Sequence, residues 1–229
     1  MRRVAVVVPA RDEETELPGC LRALAVAAAR VEAAGVRVEV VVAADRCVDR
    51  TAAVARAFGS AVVETDVGAA GAARAAGFAT VLRDGGTAGV WLATTDADSR
   101  VPPHWLTCQL DWSALGWDAV AGTVSVTDWT GHPPGAAERF AARYDNWRGR
   151  PPHVHGANLG FSRAAYETVG GFTSSAVGED HDLIRSLENA GFRVLRTAAL
   201  PVVTSARLDP RVPTGFGHRL QARSADLGA

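Results

Sequence analysis

Residues 90–99 read VWLATTDADS, an apolar run that ends in two carboxylates, Asp96 and Asp98. Asp is a poor strand residue, so the pair belongs at the end of a strand rather than inside it. Outward from this point the same grammar repeats. VAVVVPA starts at residue 4, VRVEVVVAA at 36 and SAVVETD at 60, and between them lie the Ala-rich, helix-period segments ELPGCLRALAVAAARVEAAG, DRTAAVARAFG and AGAARAAGFATVLRDGG. Such alternation defines consecutive βα units on a largely parallel sheet. The runs from Val4 to Val8 and from Val38 to Val42 lack strict alternation, as central strands covered on both faces do. The expected fold is therefore α/β, with a mostly parallel central sheet flanked by helices. Ligands of such sheets sit at the carboxyl ends of the strands. In this chain those ends carry Pro9-Ala10-Arg11-Asp12-Glu13, Ala44-Asp45, Thr65-Asp66 and Asp96-Ala97-Asp98, and each includes an acid.

At 229 residues the chain has the length of one sizeable domain. The expected division is a first half over residues 1–117, a second over 118–207 and a tail over 208–229. In the second half, GAAERFAARYDNWRGR predicts a helix after Pro134, and HVHGANLGF predicts a strand. GEDHDLIRSLENAGFRV predicts an amphipathic helix with acids in its first turn and a stop at Gly191. RVLRTAAL and PVVTSAR predict two later strands.

Charge and composition exclude several functions. With 24 basic and 25 acidic residues there is no nucleic-acid footprint. Every one of those basic residues is Arg, which removes Schiff-base lysine chemistry and the Walker-type phosphate lysine. Arg still suits phosphate. Cys20, Cys47 and Cys108 are scattered and odd in number, so neither a disulfide framework nor a zinc site is indicated. No stretch has transmembrane length and the N-terminus is not a signal peptide, so a cytoplasmic location is expected.

Read from the residues alone, Asp96-Ala97-Asp98 is either a turn followed by a Ser99 helix cap, or a site where carboxylates hold a hard divalent cation and a diphosphate. Glu179-Asp180 either complements a helix macrodipole or supplies a base. His153 and His155 share a strand face without a third ligand, and Trp129 and Trp147 are core residues or stacking platforms.

Taken together, the order VVVPARDEE, VVVAADRCVDRT, GAAGAARAAG, TTDADS, HGANLGFSRAAYETVGGF, GEDHDLIRSLENAGFRV resembles the family 2 inverting nucleotide-sugar glycosyltransferases of GT-A type. The resemblance runs from about Val4 to Arg207. It implies a Rossmann-like donor half merged with an acceptor half, and a reaction that moves a sugar from a nucleotide-diphosphate sugar to an acceptor hydroxyl with Mn²⁺ or Mg²⁺ as cofactor. Donor binding is then carried by Pro9, Ala10, Arg11, Glu13, Asp45, Gly71, Arg74, Asp96, Ala97, Asp98 and Arg207. Asp98 and Asp96 hold the metal, Asp180 with Glu179 forms the catalytic pair, and His155, Gly156 and Asn158 face the acceptor. Arg207 and Arg211 would close over the diphosphate. A late histidine, His218 or His181, is the candidate to complete the metal site. The family usually has a double acid at its second motif, and Ala44 replaces the first of them, which leaves the nucleotide base open. Two rival readings are a nucleotidyltransferase, against which PARDEETEL lacks a glycine-rich loop, and a non-catalytic nucleotide-sugar-binding protein, against which stands Glu179-Asp180.

Overall fold

The computed structural model describes residues 1–83, 89–145, 154–173 and 178–207. Its centre is a seven-stranded sheet in the order β3-β2-β1-β4-β6-β5-β7. The strands are β1 (Arg3–Ala10), β2 (Arg37–Asp45), β3 (Ala61–Thr65), β4 (Val90–Thr94), β5 (Ala119–Ser125), β6 (Leu159–Ser162) and β7 (Val194–Val203). All run in one direction except β6, which is antiparallel to both β4 and β5. The helices are α1 (Leu17–Glu32), α2 (Thr51–Ala57), α3 (Ala70–Leu82), α4 (Trp105–Ala114), α5 (Ala136–Asp145), α6 (Arg163–Thr168) and α7 (Glu179–Asn189).

Why β1 carries an unbroken valine run is visible in its packing. Val4, Val6 and Val8 point into a core with Leu17, Leu24 and Trp105, while Ala5 and Val7 point into a second core with Phe78, Phe161 and Ile184. Both sheet faces are thus covered, so neither set of side chains is polar. At the centre of the second core, Phe78 meets Phe161, Tyr166 and Phe172 with ring centroids 5.6, 5.2 and 6.2 Å away. Deleting so buried a ring leaves a cavity, and Phe78→Ala should cost about 3–5 kcal/mol. An unfolding free energy from urea titration lowered by less than a quarter of that would contradict the packing.

Three local readings are corrected. The two late strands are one, β7, which runs through Pro201 because β7 is an edge strand and can spare an amide. The strand expected from HVHGANLGF is a 3₁₀ turn over Gly156–Asn158 followed by β6, and His153 lies outside the described residues. Ser99 does not cap α4, whose N-cap is His104. Instead its hydroxyl donates to Thr204 Oγ1 at 2.9 Å and joins the β4 loop to the chain after β7.

Candidate active site

Four segments meet at the carboxyl edge of the sheet: the loops after β1 and β4, the 3₁₀ turn before β6, and the N-terminus of α7. The loop after β1 turns through Asp12, whose φ is +51°, and swings Glu13 into a buried position. Glu13 accepts from Arg207 Nη2 at 3.0 Å, and the same guanidinium donates to Asp98 Oδ2 at 2.6 Å. Arg207 therefore ties the first strand's loop to the fourth's. Burial pushes the Asp98 carboxyl up; the Arg207 charge opposes this and neighbouring Asp96 adds to it. Despite its own burial, Arg207 is held more firmly protonated than usual by Asp98 and Glu13.

Asp96 and Glu179 share a second guanidinium. Arg74, on α3 and only 3 % exposed, donates from Nη2 to Asp96 Oδ1 at 2.6 Å and from Nη1 to Glu179 Oε1 at 2.5 Å. Gly71, one turn earlier, is what admits Glu179: a Cβ there would stand 2.5 Å from the Glu179 Cγ. Asp180, the next residue, is less buried than Glu179 and points elsewhere. Its Oδ2 accepts from the Gly156 amide at 2.9 Å and its Oδ1 from the His181 amide at 2.8 Å, so both oxygens are oriented by backbone.

Other residues singled out in the sequence stand differently. Asp45 ends β2 as anticipated, but its carboxylate receives Thr65 Oγ1 at 3.0 Å and the amides of Val67 and Gly68 at 2.8 and 2.9 Å. It clamps the loop before α3. Asn158 is fully buried and donates its amide to Thr123 O and Leu200 O at 2.8 and 2.7 Å while accepting from Trp105 Nε1 at 2.8 Å. Both donor hydrogens are spent on the protein, which gives Asn158 a bracing role. Pro9 and Ala10 close β1, Ala97 is buried between the two acids, and Arg11 is exposed beside them in sequence. His155 precedes the 3₁₀ turn in extended conformation and is half-buried. Trp147, Arg211 and His218 lie outside the described residues. Trp129 is half-buried against His132, ring centroids 5.3 Å apart, and His132 Nε2 lies 2.5 Å from the Ala206 carbonyl, next to Arg207. No motif flagged His132, because its partner lies 74 residues on.

Five carboxylates, Glu13, Asp96, Asp98, Glu179 and Asp180, thus gather around the guanidinium groups of Arg74 and Arg207. Acids outnumber these two cations, and their oxygens are hard donors, so the strand-end pair Asp96 and Asp98 fits a divalent cation that brings diphosphate oxygens of its own. A different group, Asp12, Cys47 and Asp49, has donor atoms within 4.8 Å of one another. Its carboxylates accept the Val48, Thr51 and Glu14 amides, which accounts for it as loop closure.

A doubly covered sheet with one reversed strand and acids at its carboxyl edge is the architecture of the GT-A glycosyltransferases. The model of "Glycosyl transferase family 2" matches residues 5–170, and the chain belongs to that family. No curated protein matches it by sequence. Among solved structures it is similar to the mannosyltransferase PcManGT from Pyrobaculum calidifontis in complex with GDP-Man and Mn²⁺, at 20 % identity and a TM-score of 0.63 over 94 % of this chain and 59 % of that one. TarS 1-349 of S. aureus with UDP-GlcNAc aligns at 15 % identity and 0.66, over 98 % and 66 %. The glucosyl-3-phosphoglycerate synthase from Mycobacterium tuberculosis, with Mn²⁺, UDP and phosphoglyceric acid, aligns at 19 % and 0.60, over 97 % and 77 %. The chain spans about three fifths of the PcManGT chain. Among the described residues no helix is long and apolar enough to cross a membrane.

Proposed function

We propose that the chain catalyses metal-dependent, inverting transfer of a sugar from a nucleotide-diphosphate sugar to an acceptor hydroxyl. The observation that carries this reading is the meeting of Asp98, Asp96 and Asp180 at one sheet edge, in a member of this family. Asp180 accepts the proton of the acceptor hydroxyl as its oxygen forms a bond to the anomeric carbon. The bond from that carbon to the diphosphate oxygen breaks on the opposite face, the nucleoside diphosphate leaves with the electron pair, and configuration inverts. When bound by Asp98 and Asp96, the cation neutralises charge on the departing diphosphate. The amides of Gly156 and His181 keep the Asp180 carboxylate aimed during the step. On this reading residues 1–117 form the donor half and 118–207 the acceptor half, with Trp129 offering an acceptor ring a surface to stack on.

A melting-temperature panel tests the donor half of the reading. UDP, GDP and their sugars are each added with and without Mn²⁺ or Mg²⁺ to the wild type and to Asp98→Ala. At a hundredfold excess over its Kd, one nucleotide should raise the wild-type melting temperature by about 5–10 °C, only with metal, and Asp98→Ala should lose the gain. A shift that persists in Asp98→Ala would remove Asp98 from the metal site. No shift with any nucleotide would remove the donor.

A further inference from the structure

Arg74 lies in the GAAGAARAAG segment and was expected to bind the donor, yet its terminal nitrogens are turned toward the protein's own acids. Both terminal nitrogens already face carboxylates, Asp96 on one side and Glu179 on the other. The side chain is 4 % exposed, and the Phe172 ring lies against the guanidinium at 5.5 Å from ring centroid to Cζ. On another side is Gly156, where a Cβ would collide with Arg74 Nη2. Gly156 is also the residue whose amide holds Asp180. One cation therefore touches the loop after β4, the first residue of α7 and the backbone that orients the proposed base. Burial opposes its charge, but the negative charges of Asp96, Glu179 and nearby Asp180 hold it protonated.

We propose that Arg74 is a positioning residue: it locks the N-terminus of α7 and the Gly156 turn to the end of β4, and so fixes Asp180 relative to Asp96 and Asp98. Glu179 is its anchor on α7 rather than a second base. The inference rests on the reading of Asp180 as the base. A lysine in place of Arg74 keeps a charge, but its single nitrogen does not reproduce the two-nitrogen fork that reaches Asp96 and Glu179.

The test combines amide exchange, nucleotide titration and turnover on the full chain, comparing wild type with Arg74→Lys, Glu179→Gln and Glu179→Ala. In Arg74→Lys the Gly156 and His181 amides should exchange about tenfold faster while β1 amides do not change. The Kd of Mn²⁺ with UDP or GDP should stay within about threefold of wild type. With UDP-glucose, UDP-GlcNAc or GDP-mannose as donor and water as acceptor, kcat should fall by about 100-fold at nearly constant KM. Glu179→Gln, which keeps an oxygen for Arg74 Nη1, should recover most of what Glu179→Ala loses in both exchange and kcat. If Arg74→Lys does not fold, this pair decides alone. Unchanged exchange, or a Kd weakened tenfold or more, overturns the proposal and makes Arg74 a phosphate ligand. If the wild type binds neither nucleotide, the donor reading fails, and amide exchange still decides whether Arg74 holds the turn.

Discussion

Asp180→Asn should lower transfer by about 10²–10⁴-fold while the Mn²⁺–nucleotide complex binds as before. The reason lies in how the two adjacent acids differ. Glu179 is 9 % exposed and its Oε1 is taken by Arg74, whereas Asp180 is more open and, among the described residues, accepts hydrogen bonds from two backbone amides. An asparagine fits the same space and its one oxygen keeps one of the two amides while its NH₂ faces the other, and an amide cannot take a proton at neutral pH. The loss should therefore appear in kcat with little change in donor affinity. Single-turnover rates with the donor found in the melting panel would check it. A variant retaining more than a tenth of wild-type turnover would show that another group takes the proton.

The second large effect is on stability. Between Gly122 and Val124 the β5–β7 register slips, and β7 carries extra residues past β5. Carbonyls at such an irregularity lose their ladder partners, and the Asn158 amide supplies two of them, Thr123 O and Leu200 O. Asn158→Ala strands both carbonyls and the Trp105 indole N–H in a dry interior, at an expected cost of about 3–5 kcal/mol. Asn158→Asp, the same shape, should also be costly because a carboxylate then faces two carbonyl oxygens. Urea unfolding should show a lower midpoint with an unchanged slope. A loss below about 1 kcal/mol would mean the bulge is satisfied some other way.

What was legible in the sequence follows from what is local. The valine runs, the alternating Ala-rich helices and the acids after the strands are all readable because a strand covered on both faces must be apolar along its length. Gly191 at the end of α7, with φ of +82°, is equally local. Legibility failed where a residue's partner is far away. Nothing around Asn158 says that it braces β5, β7 and α4, and nothing around Asp45 says that its oxygens clamp the loop before α3. Arg74 and Glu179 are 105 residues apart, so sequence gave each a separate task where the structure gives them one joint task. Pro201 misled for the opposite reason: a local stop signal was overruled because the strand lies at the sheet edge.

The reversed strand β6 has a consequence for how the chain assembles. β6 lies between β4 and β5, yet it follows both in sequence. During synthesis the ribosome delivers β1 to β4 first, and these can zip into a four-stranded parallel unit by residue 94. β5 then emerges with no neighbour until β6 threads into the gap, so the nascent sheet has an unprotected β4 border for some 65 residues of translation. Ribosome-stalled chains from which β6 has not emerged should therefore be prone to aggregation, and chains long enough to free residues 159–162 should be relieved of it as β6 covers the β4 border.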